Sequence, residues 1–167
     1  RVVLLLNGRP VGSKVRSESD CCRIPFEFAY APGELTANGY NGDKLAATGT
    51  LATAGKPVEL RLRAERTAIA PDGLGHVEIA LFDAAGTRCA VTDAVVHLRV
   101  SGDGSLFGVS NGDMTSPQPF KSNAVRLFEG RALAVVRAGL RPGECRLRAV
   151  CEIDGAELAS ELAFSVG

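Results

Sequence analysis

Apolar and polar residues alternate one for one along most of this chain, and a period of two suits only strands that put one face in a core and the other in water. From Pro57 to Glu65 the apolar set Val58, Leu60, Leu62 and Ala64 alternates with Glu59, Arg61, Arg63 and Glu65. The same spacing predicts strands at His76–Asp83, Val95–Ser101, Ser105–Val109, Arg131–Ala138, Glu144–Cys151 and Glu157–Val166, with Gly, Pro, Asp or Asn turns between them. Helical periodicity is nearly absent.

About seven such strands within about 110 residues fit an all-β, immunoglobulin-like β-sandwich. The Cys, Trp, Cys arrangement of antibody domains is missing, because the chain has no tryptophan. Apolar packing must then hold the sandwich, with Leu98, Val100, Leu147, Leu162, Phe164 and Val166 as predicted core.

The first 52 residues read differently. Strands are expected at Val2–Asn7, Arg23–Tyr30, Glu34–Tyr40 and Lys44–Leu51, with hairpin signals at Asn7-Gly8 and Asn41-Gly42-Asp43. Ser13–Asp20 reads as a polar, mobile connection. Thr53–Pro57 is the best boundary, giving a small, incomplete β-sandwich domain over 1–54 and the immunoglobulin-like domain over 55–167. Some fifty residues bury little surface, so the smaller piece is expected to lean on its neighbour or on further sequence. A chain that opens mid-strand on Arg1 reads as an excised part of something larger.

Charge and composition narrow the partners. Nineteen basic and nineteen acidic residues cancel, and the arginines are spread along strands, which argues against a nucleic-acid surface. The longest purely apolar runs, Val2–Leu6 and Ala132–Val136, fall far short of the roughly 20 residues a membrane helix needs. Five cysteines, Cys21, Cys22, Cys89, Cys145 and Cys151, form no CxxC pair, so neither a disulfide framework nor a zinc site is expected. Cys145 and Cys151 share a strand face but lie roughly 20 Å apart at about 3.3 Å per residue, too far to bridge. They read as small buried hydrophobes.

Sites for chemistry are sparse. His76 and His97 sit at strand positions without a Ser or Cys partner in a recognisable motif. Asn111, Asp113 and Asp103 lack the alternating acids and closing Glu of a calcium loop, so no metal is expected. The glycines at 102, 104, 108 and 112 precede no helix, so no phosphate-bound cofactor is expected either.

The segment GVSNGDMTSPQPFK, Gly108–Lys121, is too polar and too rich in turn formers for a strand, and reads as a long loop at one end of the sandwich. Asn111-Gly112 tolerates positive φ, Asp113 is placed to accept amides near Thr115 and Ser116, and Pro117 and Pro119 stiffen the return. Phe120 is expected to anchor the far end. Asn111, Asp113, Thr115, Ser116 and Lys121 are the candidate contact residues, toward another domain or a substrate cleft, as loops on rigid sandwiches often are.

LLLNGRPVGSK (Leu4–Lys14), YAPGELTANGY (Tyr30–Tyr40) and LATAGKPVELRLRAERTAIAPDG (Leu51–Gly73) resemble the C-terminal β-rich region of bacterial glycoside hydrolase family 2 enzymes, the β-galactosidase group. GVSNGDMTSPQPFK followed by RLFEGRALAVVRAG (Arg126–Gly139) resembles the last immunoglobulin-like domain of those enzymes. Two features depart from the pattern: Met114 stands where Pro follows Asn-Gly-Asp, and no strand precedes LLLNG.

The resemblance implies a parent that hydrolyses O-glycosyl bonds with two carboxylates on a (β/α)₈ barrel. No barrel is legible here, so no catalytic residue is expected in this segment. Its expected role is that of an accessory region whose partner is the parent's own barrel, in cis, meeting carbohydrate only through the parent. The alternatives are a carbohydrate-binding module, disfavoured because Tyr30 and Tyr40 are the only Tyr or Trp rings, and a free-standing adhesion-type domain. Unpaired cysteines lean slightly toward a bacterial cytoplasm over export.

Overall fold

The computed structural model describes residues 1–17, 21 and 23–167, and among them there are thirteen strands and no helix. The chain divides into two compact units, Arg1–Thr53 and Ala54–Gly167.

The first unit is a single four-stranded sheet. Strands β1 (Val2–Leu6), β2 (Arg9–Lys14), β3 (Glu34–Asn41) and β4 (Lys44–Ala52) lie antiparallel in the order β2-β1-β3-β4. Asn7 and Gly8, with φ of 52° and 76°, form the two-residue turn that joins β1 to β2. Gly42 (φ 61°) and Asp43 turn β3 into β4.

Register separates the two faces. The rows Leu6/Leu35/Leu51, Leu4/Ala37/Gly49 and Val2/Gly39/Ala47 are paired across β1, β3 and β4, so they share one apolar face. Leu5/Thr36/Thr50 and Val3/Asn38/Thr48 share the other. Leu4 is the one buried hydrophobic residue of this unit among the described residues.

Two expectations fail here. Arg23–Tyr30 forms no strand. Its Pro25 has no N–H to give a ladder, and the carbonyl of Pro25 instead accepts from Lys14 Nζ. Phe26 packs on Gly12, which pairs with Leu4, so this segment crosses the apolar face and its alternation of Phe26, Phe28 and Tyr30 reflects that placement. Ser13 and Lys14 are the end of β2, not part of a mobile connection, while residues 18–20 of that connection and Cys22 lie outside the described residues.

The second unit is the sandwich. Strands β5 (Pro57–Ala64), β7 (Leu74–Asp83), β11 (Arg131–Ala138) and β9 (Gly104–Ser110) form one sheet in the order β5-β7-β11-β9. The other, β10-β8-β12-β13-β6, comprises β6 (Ala68–Ile69), β8 (Val95–Gly102), β10 (Ala124–Arg126), β12 (Gly143–Ile153) and β13 (Ala156–Val166). All pairs are antiparallel except β13 with β6. The short strands β6 and β10 offer too few residues for alternation to show.

Inward residues of both sheets join one buried cluster that includes Val77, Ile79, Val136, Leu147 and Phe164. Leu98 and Val166 are buried in it as expected, while Val100 and Leu162 pack against it half-buried. Val58 departs from the sequence pattern. A bulge between Pro57 and Glu59 breaks the alternation there and leaves Val58 exposed, although Leu60 is buried.

Asp83 is the buried acid of the unit. Its carboxylate accepts the amides of Gly55, Ala85 and Thr87 at 2.7, 2.9 and 2.7 Å, fastening the start of the sandwich to the turn after β7. These backbone donors, that of Gly55 foremost, hold its pKa below the ordinary aspartate value. Cys89, Cys145 and Cys151 are buried free thiols whose pKa burial raises, whereas Cys21 is exposed.

Candidate functional site

The Gly108–Lys121 segment is shorter as a loop than its sequence implies. Gly108, Val109 and Ser110 finish β9, so the irregular stretch runs over 111–123. It links β9 and β10, each an edge strand of its own sheet, and so passes between the two sheets of the sandwich. Side-chain acceptors two residues before their donors satisfy most of its turns, as the density of Asn, Asp, Thr and Ser allows.

Asn111 opens the network. Its Nδ2 donates to the Arg126 carbonyl at 3.0 Å, and its Oδ1 accepts the Asp113 amide at 3.0 Å. Gly112 takes φ of 80° between them, a left-handed conformation open to glycine. Asp113 Oδ1 then accepts from Thr115 Oγ1 at 2.7 Å and from the Thr115 amide at 2.9 Å, while the Ser116 amide donates to the Asp113 carbonyl. The Thr115 hydroxyl, ahead of its amide, lowers the Asp113 pKa, so this carboxylate stays ionised.

Gln118 ties down the return. Its Oε1 accepts the Arg126 amide at 3.1 Å, its Nε2 donates to the Ala124 carbonyl, and its own amide donates to Ser116 Oγ at 3.3 Å. Phe120 anchors the far end by backbone only: its carbonyl accepts the Val109 amide at 2.8 Å, while its ring is 72% exposed. The anchoring at the edge of β9 is thus made by the main chain and not by the ring.

Four of the five candidate residues, Asn111, Asp113, Thr115 and Ser116, belong to this one network. Lys121 stands apart, with its ammonium 4.8 Å from the centre of the Phe107 ring. Asn111, Asp113 and Ser116 line a hollow of about 170 Å³ with Gln118 and Phe120. Asn111 and Asp113 also border a second hollow, of about 270 Å³, with Asp93, Arg126 and Phe128. There Arg126 grips both oxygens of Asp93 at 2.7 and 2.6 Å. Met114 is 97% exposed.

Sequence alone did not single out Gln118, Asp93 or Arg126. A lone glutamine carries no turn signal, and the Asp93–Arg126 pair is 33 residues apart. His76 and His97 are exposed on their strands, and Asp103 hydrogen-bonds Arg141 rather than joining Asp113. Among the described residues no three His, Cys, Asp or Glu side chains are grouped to hold a metal ion.

The second unit is thus an all-β, immunoglobulin-like sandwich with a fastened inter-sheet loop. The family described as Glycoside hydrolase family 2 C-terminal domain 5 matches residues 60–157, and the chain belongs to that family. A domain of unknown function, DUF4982, matches residues 1–47. Beta-galactosidase BoGH2A of Bacteroides ovatus is 32% identical over 153 residues, which are 90% of this chain and 18% of that protein. A glycosyl hydrolase family 2 member from Bacteroides cellulosilyticus superposes with a TM-score of 0.90 at 29% identity, covering 99% of this chain and 21% of its own. A β-glucuronidase from glycoside hydrolase family 2 shares the fold, with a TM-score of 0.81 at 23% identity over 98% of this chain and 17% of its own. The chain thus spans about a fifth of the length of these relatives.

Proposed function

We propose that this chain is the non-catalytic, C-terminal accessory region of a β-galactosidase-like glycoside hydrolase, and that the hydrolysis is done by a catalytic barrel elsewhere in the same protein. The match to a C-terminal domain family of glycoside hydrolase family 2 carries this proposal. A barrel alternates strands with helices, and the described residues contain no helix. The named relatives include a β-galactosidase and a β-glucuronidase, so one C-terminal architecture serves enzymes named for different sugars. Sugar preference would then reside elsewhere in the parent.

Within that role the 111–123 loop is the contact element toward the barrel or its cleft. Its network of short-range hydrogen bonds fixes the shape before any partner arrives, which lowers the ordering cost of association. Asn111 and Asp113 border both hollows, Met114 is exposed, and Lys121 lies on Phe107.

Activity measurements test the proposal directly. The 167-residue chain is expected to leave an aryl β-galactoside intact and to give no heat with oligosaccharides in a calorimeter. Turnover abolished by a single Asp or Glu substitution would overturn the non-catalytic role, and tight sugar binding would favour a carbohydrate-binding module instead.

A further inference from the structure

We propose that Asn41, at the turn between β3 and β4, is a site of spontaneous covalent modification: its side-chain amide is lost as ammonia, and aspartate or isoaspartate is left in its place. The proposal concerns the first unit and stands apart from the accessory role above.

Four asparagines of this chain, Asn7, Asn38, Asn41 and Asn111, are each followed by glycine. Glycine has no Cβ to shield its backbone nitrogen, so that nitrogen can approach the preceding asparagine's Cγ closely. Attack forms the bond from this nitrogen to Cγ. The nitrogen gives up its proton, Nδ2 departs as ammonia, and a cyclic imide remains. Water then adds at either ring carbonyl, and the carbonyl–nitrogen bond there breaks. Opening at Cγ restores the ordinary main chain with an aspartate. Opening at the main-chain carbonyl leaves the chain running through the side-chain carbonyl, as isoaspartate. Water is consumed and ammonia released, and no oxidant or cofactor enters.

The reaction needs a side chain free to turn and an amide nitrogen free to attack. Asn7 is held at both ends: its Nδ2 donates to the Pro32 carbonyl at 3.0 Å and its Oδ1 accepts the Glu34 amide at 2.8 Å. Asn111 is held in the same way, by the Arg126 carbonyl and the Asp113 amide. Asn38 lies inside β3, where Thr48 Oγ1 donates to its Oδ1 at 2.9 Å and Gly39 is paired with both β1 and β4.

Asn41 has none of these restraints. It is exposed, and among the described residues its side chain has no hydrogen-bond partner. Gly42 belongs to neither strand, and its amide donates to no group among the described residues. Asn41 pairs with Lys44 across the turn. Conversion to aspartate therefore sets a carboxylate directly opposite the Lys44 ammonium, a favourable cross-strand pair. The isoaspartyl form adds a backbone carbon between Tyr40 and Gly42, which disturbs the register at this end of the hairpin.

Mass spectrometry of peptides from the 167-residue chain, held at mildly alkaline pH and fragmented so as to separate aspartate from isoaspartate, tests the proposal. Position 41 is expected to convert at least about ten-fold faster than positions 7, 38 and 111, the factor that a pair of hydrogen bonds of ordinary strength supplies. In urea, where those bonds are lost, the four rates are expected to converge. Asn41→Gln is expected to abolish the fast conversion and leave the three slower ones unchanged, because the longer side chain must close a larger ring. Equal rates in the folded chain overturn the proposal, as does faster conversion at any other asparagine. A lead for position 41 that survives in urea also overturns it, by assigning the preference to local sequence and not to the fold. None of these readouts depends on glycoside cleavage.

Discussion

The two units are built from the same alternating strands yet differ in what lies between their faces. In Ala54–Gly167 two sheets close on each other, and Val77, Ile79, Val136, Leu147 and Phe164 are wholly buried. In Arg1–Thr53 one sheet has an irregular segment across part of its apolar face, and Leu4 alone is buried among the described residues. Alternation makes a strand, but a second layer makes a domain. The sandwich has the core of a self-sufficient fold, and the lone sheet has the surface of a component.

The largest test of that contrast is Phe164→Ala. The ring is wholly buried and touches the position where a Cβ on Gly75 would stand, so its removal leaves a cavity between the sheets. A loss of about 3–5 kcal/mol is expected in urea unfolding followed by circular dichroism. A loss near zero would mean that the sandwich core does not carry the stability.

Asp83 gives a smaller effect with a distinctive pH dependence. Its pKa is depressed in the folded state, so the unfolded chain binds its proton first as pH falls. The stability it supplies is whole above the ordinary aspartate range and is lost as pH drops through the depressed folded value. Asp83→Asn is expected to lower the midpoint of urea unfolding of the sandwich at neutral pH and to flatten the acid limb of its stability curve. An unchanged acid limb would show that the three amide bonds to Asp83 do not set it.

The smallest effect sharpens the other side. Leu51→Lys in the 167-residue chain removes a side chain that is already 73% exposed. A change within about 0.5 kcal/mol is expected. A larger loss would mean that the sheet of the first unit is covered without any further partner.

Much of the sandwich was legible because its strands are long and half-buried. Arg131–Ala138 is a strand with the same ends in sequence and structure, and most other strands differ by one or two residues at an end. Arg23–Tyr30 shows the limit of that signal. Its Phe26, Phe28 and Tyr30 spacing is a strand's spacing, yet it lies across a sheet face, and period alone does not distinguish pairing from covering. Val58 shows another limit, because a bulge shifts the register without any mark in the residue types. In the loop, the turns at Asn111, Gly112 and Asp113 could be read from local chemistry. Gln118, which holds the loop to β10, and the Arg126–Asp93 pair depend on neighbours that only the folded chain supplies.

Native-state hydrogen exchange on the intact 167-residue chain tests the contrast between the units most directly. The amides of Val77, Ile79, Val136 and Leu147 are expected to exchange only with global unfolding, and those of β1 and β3 at least about a thousand-fold faster. Equal protection in the two units would contradict the account, since a sheet with one buried hydrophobic residue would then be as stable as the closed sandwich.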